Sequence, residues 1–170
     1  LTGRFTDVSN QSGSLTTLGM LKLDAGTLHN QKAGLLGGGA GGILNIGALD
    51  NRGGEIISNG SLQLTGQKLD NSDSGQISAS GWLHLTVDEV LNRDKGHMSA
   101  QTGLSLLGTT LTNTGGSLSS QQNLDVQLLG NLDNGQGELS SEGLLTVSAA
   151  SLSNRLGILT SARNLAVSTM

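Results

Sequence analysis

Aliphatic residues recur along the chain at every second position in short runs, and the runs are separated by glycine, asparagine and serine. Ile77-x-Ala79 and Leu83-x-Leu85-x-Val87 alternate with Ser78, His84 and Thr86. Alternation with a period of two marks strands that bury one face. No stretch shows the three- and four-residue spacing of a helix. The separators fit this reading, because glycine and asparagine tolerate the positive φ that tight corners require.

The strands repeat. Leu-Asp-Asn stands at 49–51, 69–71 and 132–134, and its asparagine has counterparts along the whole chain, at Asn10, Asn30, Asn51, Asn71, Asn92, Asn113, Asn134 and Asn154. Successive asparagines are 20 or 21 residues apart. Two residues before each stands Val8, Leu28, Leu49, Leu69, Val90, Leu111, Leu132 or Leu152. Three or four residues after it comes a glycine, then one variable residue, then an aliphatic one, as in Gly75/Ile77 and Gly137/Leu139. A small residue follows two positions later, and then a Leu-x-Leu/Val pair such as Leu83/Leu85 or Leu145/Val147. The second unit departs from this pattern, because its run Gly37-Gly38-Gly39-Ala40-Gly41-Gly42 puts Gly42/Leu44 where the pair belongs. Units of 21 residues carry their extra residue either between Asn and Gly or, in the unit starting at Leu111, near Leu128-Leu129. Insertions therefore fall at turns.

Three short strands in 20–21 residues cannot bury a core alone, but stacked coils can. We expect an all-β fold, a right-handed parallel β-helix of about eight rungs, with each strand paired to its counterpart one rung away. At ~4.8 Å per rung the stack would be near 40 Å long. Residues 1–170 form one such segment, with rungs starting near 8, 28, 49, 69, 90, 111, 132 and 152. An antiparallel sandwich or barrel is the alternative, but it would not demand the same residue at the same place in every unit. In the β-helix, Leu49 points inward and stacks on Leu28 and Leu69, Asp50 points outward, and Asn51 turns back inward at a corner. Stacked on one another, the eight asparagines form an amide ladder, each side chain able to donate to one neighbour and accept from the other.

Composition narrows the picture further. The chain has 170 residues with 27 glycines, one Trp, one Phe, and no Tyr, Cys or Pro. A core so poor in aromatic rings is narrow and leucine-built. The hydrophobic fraction of 35% and net charge of −4 do not suit a disordered chain. Lack of cysteine excludes disulfides and thiolate metal sites. No basic face exists, which argues against a nucleic-acid partner. The chain opens in mid-pattern at Leu1-Thr2-Gly3-Arg4, and reads as a segment of something longer. Both ends of such a segment leave strand edges unpaired, so end-to-end self-association is expected unless residues 1–7, with Phe5, cap the first rung.

The unit L-D/S/T-N-x-x-G-x-I/L-x-S/A followed by L-x-L/V resembles the roughly 20-residue repeats of filamentous haemagglutinin-like exoproteins. Leu132-Asp133-Asn134-Gly135-Gln136-Gly137-Glu138-Leu139-Ser140-Ser141 with Leu145 and Val147 carries it in full. The resemblance runs from Val8 to Val167. It implies a β-helical stalk segment of a two-partner-secretion adhesin or a contact-dependent growth-inhibition toxin. Further implications are export through an outer-membrane partner transporter, a place on the surface of a Gram-negative cell, and a receptor on host or bacterial cells. No cofactor is implied.

Little in the chain suggests chemistry. Asp50 and Asp70 share an outward column with Arg52 nearby, which could resemble calcium-dependent polysaccharide lyases, yet the period leaves no long loops to build a cleft. A solvated face is the better reading. His29, His84 and His97 fall in different outward columns, whereas zinc needs three or four convergent ligands. No Ser-His-Asp constellation can be picked out. The glycine run 37–42 has no P-loop lysine and reads as a flexible corner or an irregular rung. Trp82 points outward with Ser61 and Gly103 as column neighbours, and is a candidate surface contact, with Met20 and Leu144 in related positions. Its structural reading is a ring packed over a corner and neighbouring backbone. A receptor- or glycan-binding module on the same β-helix is therefore the alternative to a plain stalk.

Overall fold

A computed structural model describes residues 1–169. Every described element is a β-strand, and all pairings are parallel. Two sheets face each other across one core. The narrow sheet has eight four-residue strands, from Ser14–Thr17 through Gln76–Ala79 to Ile158–Ser161. The wide sheet begins with Thr2–Ser9, Met20–His29, Gly41–Asp50, Leu62–Asp70 and Trp82–Leu91. Chain passes alternate between the sheets, so each unit is one rung of a parallel β-solenoid.

The rungs do not all carry three strands. In the early rungs the Leu-x-Leu and Leu-x-Asn segments fuse into one long strand, as in Met20–His29. From the fifth rung on they separate, giving Gly103–Gly108 and Thr110–Thr112, then Asn123–Leu128 and Asn131–Asp133, then Leu145–Ala149 and Ser151–Ser153. The extra residue of the Leu111 unit is the cause. Gly108 pairs with Leu128, but Leu111 pairs with Leu132, so one more residue lies between the pairs on the later rung. The bulge expels Leu129, which is 73% exposed, and interrupts the ladder for the rungs on either side.

Inward positions form apolar columns. Leu23, Leu44, Leu64, Leu85, Leu106, Val126 and Val147 line one on the wide sheet, and Leu36, Ile56, Ile77, Met98, Leu118 and Leu139 line the facing one. Nearly all are fully buried. The first rung is covered on the wide sheet by Thr2–Ser9, where Phe5 pairs with Ala25 yet stays 52% exposed.

The glycine run is a regular rung, contrary to the expectation of a flexible corner or irregular rung. Leu35–Gly38 and Gly41–Asp50 are strands in register with both neighbours, and only the corner at Gly39 and Ala40 lies between them. Gly42 takes the place of the inward leucine between Leu21 and Leu62. The Leu62 side chain fills the space, because a Cβ on Gly42 would come within 2.6 Å of Leu62 Cδ1. At Gly38 and Gly39 a Cβ would collide with the carbonyls of Gly41 and Leu18. Glycine here serves close approach of backbone, not mobility.

Candidate functional site

The recurring asparagines come to one edge of the core. Each of the first seven donates through Nδ2 to Oδ1 of the next, over 2.7–2.8 Å, from Asn10 to Asn30 and onward to Asn154. The chain of amides runs in one direction without a gap. Nδ2 of Asn71 also donates to the carbonyl of Gly75 in its own turn and to that of His97 in the next rung. The same pattern recurs at Asn30, Asn92, Asn113 and Asn134. All but Asn154 are buried.

Turn geometry explains the extra residue of the units that follow Asn30, Asn71 and Asn92. Where Gly follows three residues after Asn, one left-handed residue lies between them, at Ser12, Gly53, Gly115, Gln136 or Leu156. Where the gap is four there are two, Lys32-Ala33, Asp73-Ser74 or Asp94-Lys95, with φ between 52° and 68°. The added residue is thus absorbed in the left-handed region, and the strands on either side keep their register.

The charged groups singled out in sequence meet as a salt-bridge cluster. Arg52 grips Asp50 with two hydrogen bonds, Nε to Oδ1 at 3.0 Å and Nη2 to Oδ2 at 2.7 Å, and lies 3.8 Å from Asp70 Oδ2. The Arg52 hydrogen bond holds the Asp50 carboxyl below its ordinary range, against a smaller opposing effect of burial. Because the folded-state value is lowered, the contribution is present at neutral pH and is lost as pH falls through that value. Arg52 is half exposed, so solvent screening keeps the pair small. Arg52→Ala is expected to lower stability at pH 7 by about 0.5 kcal/mol and to flatten the stability loss between about pH 5 and pH 3. Urea melts of both proteins at several pH values check this.

The histidines stay apart. His29 lies 3.5 Å from Asp7, His84 Nδ1 is 2.8 Å from Ser105 Oγ, and His97 Nδ1 is 2.7 Å from Ser117 Oγ. Among the described residues no three His, Cys, Asp or Glu side chains converge on a point that could hold a metal. A surface depression of about 540 Å³ runs over Ser78, Ser99, Ser119 and Ser140. No histidine lines it, so its hydroxyls have no imidazole to act as base there.

Trp82 stands on the outer face of the wide sheet. Its ring lies against Gly103 of the next rung, where a Cβ would be 2.6 Å from the indole Cη2. It is parallel to the His84 ring, with centroids 5.3 Å apart. Beyond Gly103 and Asn123 the same column rises again at Leu144, which is 40% exposed. The gap between Trp82 and Leu144 is a groove of about 430 Å³, floored by Ser105, Asp125, Gln127 and Thr146. The repeat alone places Trp82, Gly103 and Leu144 in one column. It gives no sign that Asp125 and Gln127 join them, because the side-chain bonding on an outward face leaves no trace in the periodicity.

The sequence model of the haemagglutinin repeat matches four overlapping or adjoining stretches, residues 3–66, 19–87, 68–127 and 129–170. The chain belongs to the haemagglutinin repeat family. No curated protein and no solved structure matches it. Each matched stretch of the haemagglutinin repeat covers about two or three rungs of the solenoid. Neither Trp82 nor the groove recurs from one repeat to the next, so neither is a requirement of the solenoid.

Proposed function

We propose that this chain is a non-enzymatic stalk segment of a large haemagglutinin-like exoprotein, either an adhesin or a contact-dependent growth-inhibition toxin. The full protein would leave a Gram-negative cell through an outer-membrane partner transporter and display the segment at the cell surface. The observation that supports this reading best is the unbroken amide ladder, seven bonds across eight rungs. Such regularity converts chain length into reach, and each rung supplies the edge on which the next can pair. An enzyme on this fold would need loops long enough to build a cleft, and the period varies by only one residue.

Deleting whole rungs tests the reading. Removal of residues 72–113 from the displayed exoprotein joins Asn71 to Thr114 and keeps the repeat in phase. Display on the cell should persist while the reach, measured by electron microscopy, shortens by ~10 Å for two rungs. Loss of surface display after an in-phase deletion would overturn the stalk reading.

A further inference from the structure

The Trp82 groove holds a carboxylate that the protein itself leaves without a cation. Asp125 Oδ2 accepts from Gln127 Nε2 at 2.7 Å. Its Oδ1 is shielded from solvent and meets no donor. Among the described residues the ion pairs involve Asp7, Asp24, Asp50, Asp70 and Glu89, and Asp125 belongs to none of them. A shielded carboxylate oxygen with no partner is costly, and the surrounding solenoid shows what it lacks. Asp50, in the salt-bridge cluster, has both oxygens filled by a guanidinium.

We propose that the groove between Trp82 and Leu144 is a docking site for a guanidinium, an arginine side chain presented by a partner polypeptide. Three features converge on that group. The indole and the imidazole are stacked on each other, and this aromatic pair lies at one side of the groove, where a cation is attracted to it. The Asp125 carboxylate forms the floor two rungs from the Trp82 strand and can accept an N–H of the guanidinium in a charge-assisted bond. Rotation about its last torsion, which is soft, brings either oxygen to the ligand. Leu144, at the far wall, covers the methylene stem. Charge separates this ligand from a saccharide. A neutral hydroxyl could donate to Oδ1 but would leave the carboxylate uncompensated, and an acidic sugar would meet both Asp125 and a chain of net charge −4. The site does not depend on the stalk reading, and would add a contact point to one face of the solenoid.

Trp82 is the only tryptophan, so fluorescence of the intact chain reports on this groove alone. Three probes decide the matter: acetyl-Gly-Arg-Gly-amide, the same peptide with citrulline in place of arginine, and methyl β-glucoside. The arginine peptide should change the emission saturably, and should bind about tenfold more tightly than its neutral citrulline analogue. Raising the salt concentration should weaken it. Asp125→Asn keeps the side-chain shape and should remove the preference for arginine while the circular dichroism and melting temperature stay unchanged. Equal binding of the two peptides, an undiminished arginine preference in Asp125→Asn, saturation by the glucoside alone, or no saturation by the arginine peptide would each overturn the proposal.

Discussion

Asn71→Ala is expected to cost about 3 kcal/mol of unfolding free energy, against less than about 1 kcal/mol for its neighbour Asp70→Ala. The amide of Asn71 accepts from Asn51 and donates to Asn92, to Gly75 and to His97. Its loss leaves Oδ1 of Asn92, a fully buried residue, with no donor. Leaving such a group unpaired costs about 1–3 kcal/mol, to which the broken bonds and the emptied volume add. Asp70, one residue earlier, is outward, where its carboxylate accepts from the Ser72 N–H and lies at the edge of the Arg52 cluster. Urea denaturation of the two variants measures the contrast. Asn71→Asp separates bonding from volume, because it fills the same space but places an acceptor where Asn92 Oδ1 needs a donor. It should be as damaging as alanine at neutral pH. Equal stabilities for Asn71→Ala and Asp70→Ala would show that the ladder does not hold the rungs together.

Gly137→Ala is expected to destabilise by about 2–3 kcal/mol, while Gly135→Ala, in the same turn, changes stability by less than about 0.5 kcal/mol. A Cβ on Gly137 would run into the Asn113 carbonyl of the previous rung and stand 2.7 Å from Asn134 Oδ1. Neither group can retreat, since one is backbone and the other is held in the ladder. A Cβ on Gly135 would find only Asp133 Oδ1 within 3.4 Å, at 3.2 Å, and that exposed carboxylate can shift slightly while still accepting the Gly135 N–H. Neither glycine has a positive φ, so conformational strain does not enter and the comparison isolates close packing. Thermal melts of both variants settle it, and a tolerated Gly137→Ala would mean that the rungs can separate at this corner. The glycine that recurs after each asparagine is thus part of the same device: it lets the backbone press against the amide column.

How far the fold could be read ahead of the structure depends on what repeats. Leu49, Leu69 and Leu132 could be placed inward, and the asparagine after each set at a corner, because each position is sampled eight times and period-two alternation assigns its face. The same sampling located the extra residue near Leu128-Leu129. Strand number was read less well, because fusion of Met20–His29 into one strand depends on whether pairing continues through the bend. The run at 37–42 misled for a related reason. Consecutive glycines look mobile in a sequence, yet the carbonyl of Gly41 in the run itself, the Leu18 carbonyl of the rung before and the Leu62 side chain of the rung after close in on them.

The groove is a different case. Trp82 was legible as an outward aromatic, but nothing in the sequence singled out Asp125. What joins them is a lateral relation across rungs, with Gly103 leaving room for the indole and Asn123 and Asp125 leaving a gap before Leu144.

The sequence by itself determined the solenoid. Its period, its alternation and its recurring Asn and Gly are local facts repeated in every unit, and stacking is the arrangement that satisfies them all at once. Only the tertiary structure decided the direction of the amide ladder, the collisions that require glycine, the split of the wide-sheet strands and the unpaired oxygen of Asp125. Each of these depends on distances of a few ångströms between residues about twenty apart, and on torsions that residue identity leaves free.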